Sequence, residues 1–163
     1  MSYQKDVLIK IVLDSWNNQL KQVDKLLEEL SDDQLAREIA PNRNSGVYIL
    51  GHLVAVHDAM LPLLGFGEKL HPELAEIFLH NPDKSPLQKP STVQLRIYWT
   101  KVNTLLTSKP AALSTIEQWF ERHTSVSEED FIKEPHRNKL NVVVGRTNHL
   151  AYHIGQLVLL KKQ

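Results

Sequence analysis

The chain has 163 residues, 42% of them hydrophobic, with 19 basic residues against 19 acidic ones and no cysteine. That length suits one domain with a substantial core, so a single domain over residues 1–163 is expected. Zero net charge gives no general reason to bind nucleic acid or an anionic membrane. The lack of cysteine excludes disulfides, cysteine-ligated zinc and a protein thiol nucleophile, so any thiol chemistry needs a substrate thiol.

Six glycines and eight prolines are too few for a turn-rich all-β fold. The N-terminal segment lacks the basic start and apolar block of a signal peptide, and no apolar run approaches the roughly 20 residues of a membrane span. A cytoplasmic protein is therefore expected.

The first element is a helix from about Gln4 to Leu30, with Leu8, Ile11, Val12, Trp16, Leu20, Val23, Leu27 and Leu30 in steps of three and four along one face. Ser31-Asp32-Asp33 interrupts it. A second helix starts near Asn44 or Ser45, both good N-caps, and is apolar around most of its circumference, which predicts the most buried helix. Gly65-Phe66-Gly67 is its expected exit.

A long connection follows, from Gly65 to Pro90, with prolines at 72, 82, 86 and 90 and a short helix expected within His71–Leu79. A connection of this length can cross the whole bundle, so the second and third helices need not be antiparallel neighbours. Ser91-Thr92 caps the third helix, striped by Leu95, Tyr98, Val102, Leu105 and Leu106, and Pro110 is expected to kink or split it. Helical character returns over Thr115–Phe120, and Ser127 opens a short turn that ends at Pro135. The last helix is expected from about Asn141 to the C-terminus, with Val144, His149, Leu150, His153, Leu157 and Leu160 on a broad face. The pattern is all-α with a crossover.

The sharpest local signal is NHLAYHIGQL. His149 and His153 lie four apart in a helix, which stacks two imidazoles on one face, close enough to share a metal ion; Gln156 follows one turn later. Eight histidines in a chain of this length give roughly 0.4 such pairs by chance, so the spacing alone does not make a site. A metal needs further ligands, and the second helix offers His52 and His57. Five residues apart, they stand about 140° from one another around the helix and cannot both reach one ion. A core histidine bonded to a backbone carbonyl or a water is the competing reading for each. Trp16, Trp99 and Trp119 fall on apolar faces and read as core or pocket wall. His71, His80, His123 and His136 lie among polar residues and read as solvated.

GHLVAVHDAM on the second helix followed by NHLAYHIGQL on the last resembles the DinB-like (YfiT-like) superfamily. The resemblance extends to Gly155-Gln156 and to Asn42 to Asn44. It implies a four-helix bundle with a crossover connection and a divalent metal held by His52, His149 and His153. Members often carry an aromatic residue a turn before the second-helix histidine; Tyr48 lies one position from that place. His57 takes no role from the resemblance, and the superfamily name does not imply DNA binding.

Three imidazole ligands would leave at least one metal position open, as in catalytic rather than structural zinc sites. Such a donor set suits zinc, nickel, iron or copper. Relatives include transferases and isomerases that use low-molecular-weight thiols, as well as metal-dependent hydrolase candidates, and are often homodimers. A metal-dependent thiol S-transferase or hydrolase is the functional expectation. A non-catalytic metal-binding or sensing module, and a metal-free helical interaction domain, are the competing classes. No general base is legible: Gln156 cannot serve, and Asp58 adjoins His57.

Overall fold

The computed structural model describes residues 2–109 and 115–162, and among them there is no strand. Two isolated bridges, Glu38 with Ser45 and Arg122 with Asn138, tie loop segments together. The kink expected at Pro110 lies outside the described residues.

Helix α1 spans Ser2–Glu29. Its buried stripe, traced back from Trp16 in steps of three and four, passes through Leu13 to Ile9. Leu8 and Ile11, expected to face inward, are instead 47% and 60% exposed. A short helix α2, Asp32–Leu35, follows with a Ser31–Gln34 capping box.

Helix α3, Gly46–Asp58, is capped by the Ser45 hydroxyl, which accepts the Tyr48 N–H, and α4, Met60–Leu64, continues it. Together Gly46–Leu64 have the length and apolarity of a membrane span, contrary to the expectation from the sequence, but 72% of the segment is buried inside the fold. The exit is Gly65, whose φ of 75° is a left-handed conformation open to glycine at little cost.

The crossover then runs back along α3. At the far end of α3, the buried Asp58 carboxylate accepts the backbone N–H groups of Leu70 and His71 at 2.7 and 2.9 Å. Midway, α5, Leu74–Phe78, drives the Phe78 ring onto Gly51. Any Cβ at position 51 would stand 2.3 Å from that ring, so the close approach requires glycine. Near the start of α3, the Tyr48 hydroxyl donates to the Asn81 carbonyl at 2.6 Å, and Asp83 accepts the Ser45 N–H, also at 2.6 Å.

The chain thus returns to the end where α3 began, and α6, Thr92–Ser108, runs parallel to α3 and packs on it. The start of α6 is pinned to the end of α1, since the Arg96 guanidinium donates to the Leu27 and Leu30 carbonyls. A 3-10 turn, Ile116–Phe120, and the short α7, Glu128–Lys133, lead to α8, Lys139–Leu157. Helix α8 starts two residues before the expected point because Asn138 caps it by accepting the Asn141 N–H. A final 3-10 turn, Val158–Lys162, brings Lys161 to Glu29. Hence α8 runs parallel to α1 and antiparallel to α3, and contacts both. Trp16, Trp99 and Trp119 are all buried in the core.

Candidate metal centre

His52 occupies the middle of α3, and His149 and His153 occupy successive turns of α8. Because α3 and α8 are antiparallel neighbours, the three imidazoles meet. The His149 Nε2 stands 3.1 Å from the His52 Nε2 and 3.2 Å from the His153 Nε2. One nitrogen from each ring lies within 4.8 Å of the others, and all three residues are half-buried.

Two of the rings have their tautomer set by a second bond. The His52 Nδ1–H donates to the Phe78 carbonyl at 3.0 Å, at the end of α5. The His153 Nδ1–H donates to the Gln156 Oε1 at 2.7 Å, while the Gln156 Nε2 donates to the Tyr152 hydroxyl at 3.2 Å. A carbonyl oxygen only accepts, so each neutral ring carries its proton on Nδ1 and turns an Nε2 lone pair toward His149. The Nδ1 of His149 is buried with no hydrogen-bond partner among the described residues. Burial, reinforced by His153, His52 and Arg146, lowers the His149 pKa to about 4. Burial also lowers His153, although the Gln156 bond opposes it. Both rings are therefore neutral near pH 7, the form in which histidine ligates metals.

The arrangement fits a cation. With its proton on Nε2, His149 can satisfy His52 or His153 but not both. With its proton on Nδ1, three lone pairs face one another. Two nitrogens sharing a tetrahedral zinc at about 2.0–2.1 Å lie about 3.3 Å apart, close to the gaps seen here. A cleft of about 180 Å3 opens onto His52 and His153, lined also by Asn44, Tyr48, Ile49, Phe78 and Leu79. Among the described residues no carboxylate joins the three histidines.

His57 is excluded from this cluster. It is fully buried between Trp16 and Trp99, with ring centroids at 4.8 and 5.0 Å, and its Nδ1–H donates to the Asn103 Oδ1 at 2.7 Å. Its partner is thus a side-chain amide rather than the backbone carbonyl or water expected. Burial pushes its pKa down to about 3. His71, expected to be solvated, is only 14% exposed in its side chain and stacks on Tyr98 at 3.7 Å. The crossover docks on α6 there, which no local sequence feature announces.

Three contributors were not assigned from the sequence. The Phe78 carbonyl leaves no trace in residue type, since it is backbone delivered by the crossover. Gln156 lies on the expected face, and its spacing of three from His153 is the only sequence signal of its bond to that ring. Arg146 lies three residues before His149 on the same face of a helix that carries no acidic residue.

No curated protein matches the chain. The family model described as the DinB superfamily matches residues 16–157, which span α3, the crossover and all of α8. With that match over most of its length, the chain belongs to the DinB superfamily.

Proposed function

We propose that the chain is a divalent-metal-dependent enzyme in which His52, His149 and His153 hold the ion, and that it transfers or rearranges groups on a low-molecular-weight thiol. The observation that carries this reading is the convergence of three Nε2 atoms, two of them held as lone pairs by bonds on the far side of the ring. A bound divalent ion acts as a Lewis acid and lowers the pKa of a thiol or water that reaches it. Phe78 and Gln156 keep the rings in the ligating tautomer. The 180 Å3 cleft admits a small group beside His52 and His153.

A small thiol is a far stronger acid than water before either meets an ion, which favours thiol chemistry over hydrolysis. A bound ion can ionise either one without a carboxylate base, and no carboxylate joins the cluster among the described residues. A thiol ionised at the site needs no further base to attack, and with no cysteine in the chain it must arrive with the substrate. A homodimer and a cytoplasmic location complete the proposal.

The test is turnover by untagged protein of a low-molecular-weight thiol paired with a soft electrophile, before and after chelation, with the His149→Ala variant alongside. Activity that needs both metal and His149 supports the proposal. Stoichiometric metal with no turnover of any thiol or ester pair leaves a metal-binding module instead.

A further inference from the structure

Arg146 is the one cation on α8 beside the histidine cluster. It precedes His149 by three residues and His153 by seven, so all three side chains leave the same face of the helix. The residue is half-buried, and its guanidinium makes no hydrogen bond or ion pair with any described residue. Burial moves its pKa below the usual arginine range. Its charge reaches the cluster, adding to burial in depressing both His149 and His57.

Arginine that loses water normally gains an anion, because a partly desolvated charge is unfavourable without one. The fold supplies none here. Helix α8 carries no acidic residue, and the single acid of α3, Asp58, accepts the Leu70 and His71 amides, one on each oxygen. In the crossover, Asp83 is bound to Ser45 and Lys89, and Glu76 to Asn81 and His80. A divalent ion held by three neutral imidazoles would add further positive charge. No acid among the described residues forms a hydrogen bond or ion pair with Arg146, and the complement is a negative group brought by the ligand.

We propose that Arg146 binds a carboxylate of the molecule that reacts at the His52–His149–His153 centre, so that the substrate or its thiol partner is a small organic acid. The planar guanidinium fork matches a carboxylate through two parallel N–H···O bonds. A single cation suits one carboxylate better than a dianionic phosphate, which would call for more donors. Arg146 would then anchor one end of the substrate while its other end reaches the metal, the fixed orientation on which effective intramolecular rates depend. This substrate class rests on the metal reading above, and the test separates the two.

The test uses nitrogen-15-labelled, untagged full chain, metal-free and zinc-loaded. Acetate, acetamide and inorganic phosphate are titrated while the Arg146 Nε–Hε resonance and, in every variant, the backbone amides of α8 are followed. The expected result is a saturable shift with acetate and none with the neutral acetamide. Arg146→Gln should weaken acetate binding by at least about tenfold, the loss expected for a charge-assisted pair. Arg146→Lys, which keeps the charge and loses the fork, should fall between, and it decides the matter if the glutamine variant does not fold. Zinc should bind both variants no more weakly than the unmodified chain, since Arg146 supplies no ligand and its charge repels the ion. Equal acetate affinity with and without Arg146, or phosphate binding more tightly than acetate, overturns the assignment. Zinc failing to bind while acetate still saturates at Arg146 overturns the metal reading and leaves the anion site standing.

Discussion

His52 and His57 lie five residues apart on one helix and meet opposite surroundings. His52 faces the groove between α3 and α8, bonded to a backbone carbonyl on one side and open to two other imidazoles on the other. His57 faces the interior, clamped by two tryptophans and an asparagine. The turn of roughly 140° between them decides the chemistry each can carry. One ring presents a lone pair to a partly solvated groove with neighbours that can share an ion. The other is a neutral polar group in the core, satisfied at Nδ1 and with nothing to bind at Nε2. Residue type is therefore a poor guide to metal sites within a helix, and the face is a good one.

The largest expected effect that sharpens this contrast is on stability. His57→Ala should destabilise the fold by about 3 kcal/mol in denaturant titration, because it opens a cavity between Trp16 and Trp99 and strands Asn103. The acid response follows from the same residue. His57 stays neutral in the fold down to about pH 3, whereas the unfolded chain takes up the proton near 6.5. Between those values the unfolded chain binds more protons, so stability falls as pH falls, by up to about 1.4 kcal/mol per unit from this residue. His57→Gln, less stable at neutral pH, should show a shallower slope; an unchanged slope would mean that His57 is not buried neutral.

A smaller effect tests the crossover. Gly51→Ala places a methyl against the Phe78 ring and should cost about 1–3 kcal/mol through overpacking. Because Phe78 also holds His52, the variant should lose metal affinity as well, which Ala substitutions at exposed sites should not do. Loss of stability with unchanged metal affinity would uncouple the crossover from the centre. The smallest effect belongs to Gln156→Ala, which frees the His153 ring and should weaken metal binding about tenfold with little change in stability.

Much of this was legible in the sequence, for identifiable reasons. Helical periodicity and caps located the elements, because Ser45, Ser91 and Ser127 each accept an N–H three residues on. The His149–His153 pair was visible from spacing, whereas His52 came from the resemblance; periodicity could only say that it and His57 exclude one another. What escaped depends on tertiary placement. Ile9 replaces Leu8 and Ile11 on the buried face because the α1 stripe is set by Trp16 and the residues beyond it. The Phe78 carbonyl and the His71–Tyr98 stack exist only because the crossover folds back along α3. Neither has a sequence pattern of its own.

The most direct measurement is a zinc titration of untagged, metal-free protein, read by competition with a chromophoric chelator, for the unmodified chain, His52→Ala and His57→Ala. The expected result is one zinc per chain for the unmodified protein and for folded His57→Ala, with His52→Ala reduced to weak binding while it keeps its fold. Tight binding by His52→Ala together with loss in folded His57→Ala would contradict the ligand assignment. No zinc in any of the three would contradict the metal centre itself.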